Sequence, residues 1–92
     1  MSENERQLLG SAQKGSVAAF EELTAPYRAR VYNLMLKACV DEFEASLLSQ
    51  DVFVKVFEAL ISGYINGGLA WNIYRAADEI SRQAACKSKM IS

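Results

Sequence analysis

Between Asp41 and Ser62 the chain runs for twenty-two residues without a glycine or a proline. Over that run its apolar residues recur at three- and four-residue steps. Turning each residue about 100° from the last gathers Ala45, Leu48, Val52, Phe53, Val56, Ala59 and Leu60 into one broad stripe, the pattern of a helix with its face in a core. The opposite side is not simply polar. It carries Leu47, Val54 and Ile61 among Gln50, Asp51, Lys55 and Glu58. A helix apolar on two sides has to be covered twice, once by its own fold and once by something else.

The flanking segments repeat the helical period. Ser2 and Glu5 have capping-box spacing, and Leu8, Leu9 and Ala12 give a first helix over residues 3–13, ended by Gly15. Ser16 then caps a second helix with Val17, Ala19, Phe20 and Leu23 inward. Pro26 reads either as the early-turn proline of a new helix or as a bend near residue 25 in one helix from 17 to 39. Beyond it Tyr27, Val31, Leu34, Met35 and Ala38 hold the stripe. Asp41 with Glu44 signals the start of the next helix, and Ser62-Gly63 its end. SGYINGG is a turn segment, sharpest at Asn66-Gly67. From Leu69 the period resumes with Ile73, Ala76, Ala77, Ile80 and Ala84 inward, and KSKMIS (87–92) is expected to fray.

Four or five helices with short connections predict a single all-α domain over 1–92, a compact antiparallel bundle whose core spans about residues 5–86. Phe20, Leu23, Tyr27, Val31, Leu48, Val52, Phe53 and Val56 are the expected core. At 51% hydrophobic and 23% charged the chain has a globular composition. No apolar run is long enough to span a bilayer, and MSENERQ lacks the blocks of a signal peptide, so a cytoplasmic protein with no membrane role is expected.

The composition also narrows the chemistry. With no histidine the chain cannot build a Ser-His-Asp or Cys-His site, and it holds neither a phosphate loop nor a Ser-x-x-Lys motif. A non-enzymatic role without cofactor or metal is the expectation. Cys39 and Cys86 match no metal spacing and read as reduced thiols. The net charge of −1 gives no footprint of a stand-alone duplex binder, although Arg75, Arg82, Lys87 and Lys89 leave the last helix mildly basic.

Several of these segments occur together in a known order. GSVAAFEEL, PYRARVYNLMLK, LLSQDVFVKVFEAL and LAWNIYRAA, over about residues 8–80, resemble region two of the sigma-70 family of transcription factors, most closely its extracytoplasmic-function group. Residues 15–23 follow the family's Gly-Asp-x-x-Ala-Phe-Glu-Glu-Leu with Ser16 for the aspartate. Tyr27, Val31 and Tyr32 follow Tyr-x-Pro-x-Val-Tyr with Ala29 for the proline. Ala45, Leu48, Gln50, Asp51, Val52 and Phe53 follow Ala-Glu-Asp-Leu-x-Gln-Glu-Val-Phe, and Trp71 stands at the distance of the Trp that opens the family's last helix.

The resemblance implies a partner for the second apolar face. In the family that face of the helix docks on the coiled coil of the β′ subunit of core RNA polymerase, which carries over to Leu47, Gln50, Asp51, Val54 and Glu58. It also implies contact with the minus-ten promoter element through the last helix, where Trp71, Tyr74, Arg75 and Arg82 are the residues suited to stacking on bases or pairing with phosphates. The ordinary reading of Trp71, Tyr74 and Tyr64 is a core or loop anchor, and of the two arginines a surface ion pair. Leu47 stands where the family has an acid, and Asn72, Ala77, Asp78 and Glu79 occupy much of the basic, aromatic helix. The family continues into region four, so a subunit bearing that region is expected to complete the factor. The rival reading is a regulatory module (decoy, adaptor or co-sigma) that binds a sigma or anti-sigma protein without reading DNA. A homodimer through the two-faced helix is also open.

Overall fold

The computed structural model describes residues 3–38, 41–63 and 68–91, with side chains as far as Ala84. They form α1 (Glu3–Gln13), α2 (Val17–Ala38), α3 (Glu42–Ile61) and α4 (Leu69–Ile91), with no strand among the described residues. The protein is an all-α bundle. No helix among the described residues is long and apolar enough to cross a membrane.

Short-range chemistry sets the helix ends. Gly15 takes φ 103°, and the Gly15 and Ser16 N–H groups donate back to the carbonyls of Ala12 and Ser11 at 2.9 and 3.1 Å. This pairing of a left-handed glycine with two back-bonds closes α1. One residue later Ser16 Oγ accepts from the Ala19 N–H at 3.2 Å and starts α2. The α1–α2 corner therefore needs only Gly15 and Ser16. Asp41 caps α3 in the same way, its carboxylate accepting from the Phe43 N–H at 3.0 Å. Gly63, at φ 77°, stands just past the other end.

Of the two readings of Pro26, the single helix is observed: α2 passes through the proline. The ring removes the N–H that would reach the Glu22 carbonyl. Just upstream, the fully buried Thr24 hydroxyl donates to the Phe20 carbonyl at 2.8 Å, so a polar group on the core side is satisfied within its own helix.

α2 is the hub, packing against α1, α3 and α4, while α3 also packs on α4 and on α1. The core joins Phe20, Leu23, Val31 and Met35 of α2 to Ala45, Val52, Phe53, Val56 and Leu60 of α3 and to Leu69, Ile73, Ala76, Ala77 and Ile80 of α4. Tyr27 and Leu48 are half-buried and pack against this cluster. The stripe is wider than its cover at two places. Val17, in the first turn of α2, is 55% exposed because it stands at the mouth of a groove between α2 and α3, and Leu34 is exposed at the stripe's edge. At the other end the helical backbone of α4 continues to Ile91, including residues 87–91 where fraying is expected. Ser2, Cys39, the Asn66-Gly67 turn with Tyr64, and the side chain of Cys86 lie outside the described residues.

Candidate partner-docking face

The second face of α3 exists. Leu47, Gln50, Asp51, Val54 and Glu58 are all exposed, and they lie on the side of α3 opposite the buried Ala45, Val52, Val56 and Leu60. Val54 is 54% exposed, while Leu47 and Ile61 are each about half exposed. These three are spaced by seven residues. Gln50 and Phe57 fall three places after the first two of them, the offset that completes a coiled-coil seam.

Phe43 belongs to this seam and was not singled out in the sequence. It precedes Leu47 by one helical turn and is 71% exposed. Its neighbours Asp41, Glu42 and Glu44 mark it as part of a cap, which hides its membership of the outer stripe. The same 100° projection that isolates Leu47 and Val54 places Phe43 beside Ile61 and Val54. With it the apolar stripe runs from Phe43 to Ile61, about 27 Å at 1.5 Å per residue.

The stripe has one charged border. Glu44, Asp51 and Glu58, again seven apart, are exposed along the edge that faces α4, where they rim a groove of about 470 Å³ floored by Leu48, Ile80 and Ala84. The cation on this side of α3, Lys55, is engaged at 2.8 Å by Glu79 of α4. The hydrogen bond from Lys55, followed by its positive charge, holds the Glu79 carboxyl below its usual range. On the edge toward α2 the border is aromatic. Phe57 packs on Phe20 with ring centroids 4.7 Å apart, and the Arg28 guanidinium lies 5.6 Å from the centre of the Phe53 ring.

The residues suggested for nucleic acid divide into two groups. Trp71, 63% exposed, Arg75 and Arg82 share the solvent side of α4, so Trp71 is not the core anchor that the ordinary reading makes it. Arg82 pairs with Asp78 one turn earlier at 3.2 Å, as a surface ion pair. Tyr74 turns toward α2. Its ring stands edge-on to Tyr27 with centroids 6.2 Å apart, and its hydroxyl accepts from Arg30 at 3.3 Å. That hydrogen bond pushes the Arg30 guanidinium above its already high ordinary pKa. Tyr74 is thus a half-buried strut between helices, with an arginine that no local pattern connects to it.

The arrangement offers a helix-on-helix docking surface, apolar along its centre and acidic along one edge. No protein-family model, curated protein or solved structure matches the chain.

Proposed function

We propose that this chain is a sigma-like region-two domain, a non-enzymatic cytoplasmic transcription protein that docks on the β′ coiled coil of core RNA polymerase through the outer face of α3. The observation that carries the reading is the seam itself. Two polar positions that match the family run are exposed here, Gln50 within an apolar, seven-residue-spaced stripe on the outer face of α3 and Asp51 on its acidic edge. A coiled coil is the natural complement of such a stripe. Its apolar knobs would bury Phe43, Leu47, Val54 and Ile61, while Gln50 fixes register and the acidic edge meets basic side chains.

The same edge argues against an antiparallel homodimer, because two copies of α3 paired that way would set Glu44, Asp51 and Glu58 beside their counterparts as like charges. A heterotypic partner has no such conflict.

One observation favours the second reading, a module that binds a sigma or anti-sigma protein without reading DNA. Of the four residues suited to promoter contact, Arg82 is paired with Asp78 and Tyr74 is held by Arg30 and Tyr27. Arg75 lies near Glu79 and helps to hold that carboxyl low, which leaves Trp71 the least engaged of the four, so any promoter contact would be slight beside the docking.

The test is a pull-down of bacterial core RNA polymerase on the immobilised chain, with Asp51→Arg as the paired control. Retention by the wild type and loss in the variant is the expected result. Failure of both to retain polymerase would move the function to the regulatory reading, with a sigma or anti-sigma protein as the partner to seek.

A further inference from the structure

A separate groove is walled by α1, the middle of α2 and the start of α4, with no residue of α3 in its lining. It holds about 460 Å³, within the range of small-molecule sites. Leu8, Leu23, Tyr27 and Leu69 give it an apolar floor, Leu23 and Leu69 buried and the other two half-buried. Glu5 of α1 and Glu22 of α2 stand exposed in the same lining, and among the described residues no lysine or arginine joins them. The first turn of α4 contributes the partial positive charge of a helix start, about half an elementary charge against two whole negative ones. Pro26 adds an independent feature. A helical carbonyl points along the axis toward the residue four places on, and for Glu22 that residue is Pro26, which has no N–H to offer. Glu22 and Pro26 both line the groove, so the acceptor left by the proline lies on the same side of α2 as the opening.

We propose that this groove binds a small organic cation, a primary ammonium carried on an apolar or aromatic body. The ammonium is all donor, and the groove offers acceptors: the Glu22 backbone carbonyl and the Glu22 carboxylate, with the Glu5 charge on the α1 wall. The body of the ligand covers Leu8, Leu23, Tyr27 and Leu69. A neutral molecule of the same shape leaves the carboxylates without a counter-charge, and an anion is repelled by them, so charge decides among ligands that fit the floor equally well. The site shares no residue with the outer face of α3, and it stands or falls independently of the docking reading.

The test titrates the full chain with phenethylammonium, and in parallel with 2-phenylethanol, which has the same ring and linker without the charge, while backbone amide shifts are followed by NMR. The expected result is saturable shifts centred on Leu8, Leu23 and Ala70, with the amine bound about fivefold or more tighter than the alcohol. That preference, not the affinity itself, is read in two variants at exposed positions. Glu22→Gln removes the charge and should bring the preference close to one. Pro26→Ala restores the N–H, returns the Glu22 carbonyl to the helix ladder and places a better helix former there, so the fold is kept and the preference should fall. Equal binding of amine and alcohol by the wild type would reduce the groove to an apolar crevice and overturn the proposal. So would the absence of saturable shifts, shifts centred on another part of the bundle, or a preference unchanged in both variants.

Discussion

Val52 and Val54 are two residues apart on one helix, and the fold turns them to opposite sides. Val52 is 0% exposed and Val54 is 54% exposed. Truncating each to alanine should therefore separate stability from docking. In Val52→Ala two fully buried carbons are lost, about 1.6 kcal/mol at 0.8 kcal/mol per carbon. A residual cavity of roughly 50 Å³ adds about 1.2 kcal/mol. The better helix propensity of alanine returns about 0.6 kcal/mol, leaving a net loss of about 2 kcal/mol. For a domain of this size that lowers Tm by roughly 10–15 °C. In Val54→Ala the fold loses only the part already covered, about 0.7 kcal/mol, which the same propensity gain nearly cancels. Docking instead forfeits the exposed remainder, about 0.9 kcal/mol, or roughly a four- to fivefold weaker complex. Thermal melts followed by circular dichroism, with titrations of core polymerase below the lower Tm, read both quantities. Equal losses of Tm in the two variants would refute the two-faced assignment of α3. An unchanged affinity in Val54→Ala would refute docking through that face.

Two further outcomes follow from the ion pairs and aromatics of α4. Because the Lys55 contact lowers the folded-state pKa of Glu79, the stability it contributes is complete above the ordinary glutamate range and is lost as pH falls through the lowered value. Urea midpoints of the wild type and Glu79→Gln should differ at neutral pH and converge in that acid window, and a difference that persists unchanged through it would show that the pair contributes nothing by linkage. A titration of single-stranded promoter DNA at low salt should quench Trp71 emission weakly and lose the effect as salt is raised, since Trp71 stands exposed on the solvent side of α4 with Arg75 and Arg82 on the same side. No quenching at any salt would remove DNA from the function and leave a docking module.

What was legible in the sequence is what short-range chemistry decides. Gly15-Ser16 and Asp41 each act within a few residues of themselves, so the ends of α1, α2 and α3 could be read directly from them. The buried stripe of α3 follows from its period alone. Harder to read were the residues whose fate depends on another helix. Val17 has the spacing of a core residue, yet among the described residues no neighbour reaches across the groove mouth to cover it. Tyr74 fits a base-stacking platform until Arg30, forty-four positions away, is seen to hold its hydroxyl. Phe43 was obscured for a different reason. Its setting among acids looks like a cap, and it is one, but a capping turn also has an outward side.

Leu47 weakens the match to the family and strengthens the proposed site. An acid at that position would interrupt the stripe between Phe43 and Val54, leaving two separate apolar spots on the outer face of α3. Leucine joins them into one continuous seam. The exchange has a physical consequence. A charge at the interface contributes mainly to steering and falls off with salt, whereas buried apolar area contributes to the lifetime of the complex and is little screened. A continuous apolar seam is also an aggregation hazard unless something blocks self-pairing. Glu44, Asp51 and Glu58 are placed to oppose an antiparallel second copy of the same face. On the proposed reading the acidic edge and the apolar seam act together: the seam would supply the area to be buried, and the edge would restrict which partner buries it.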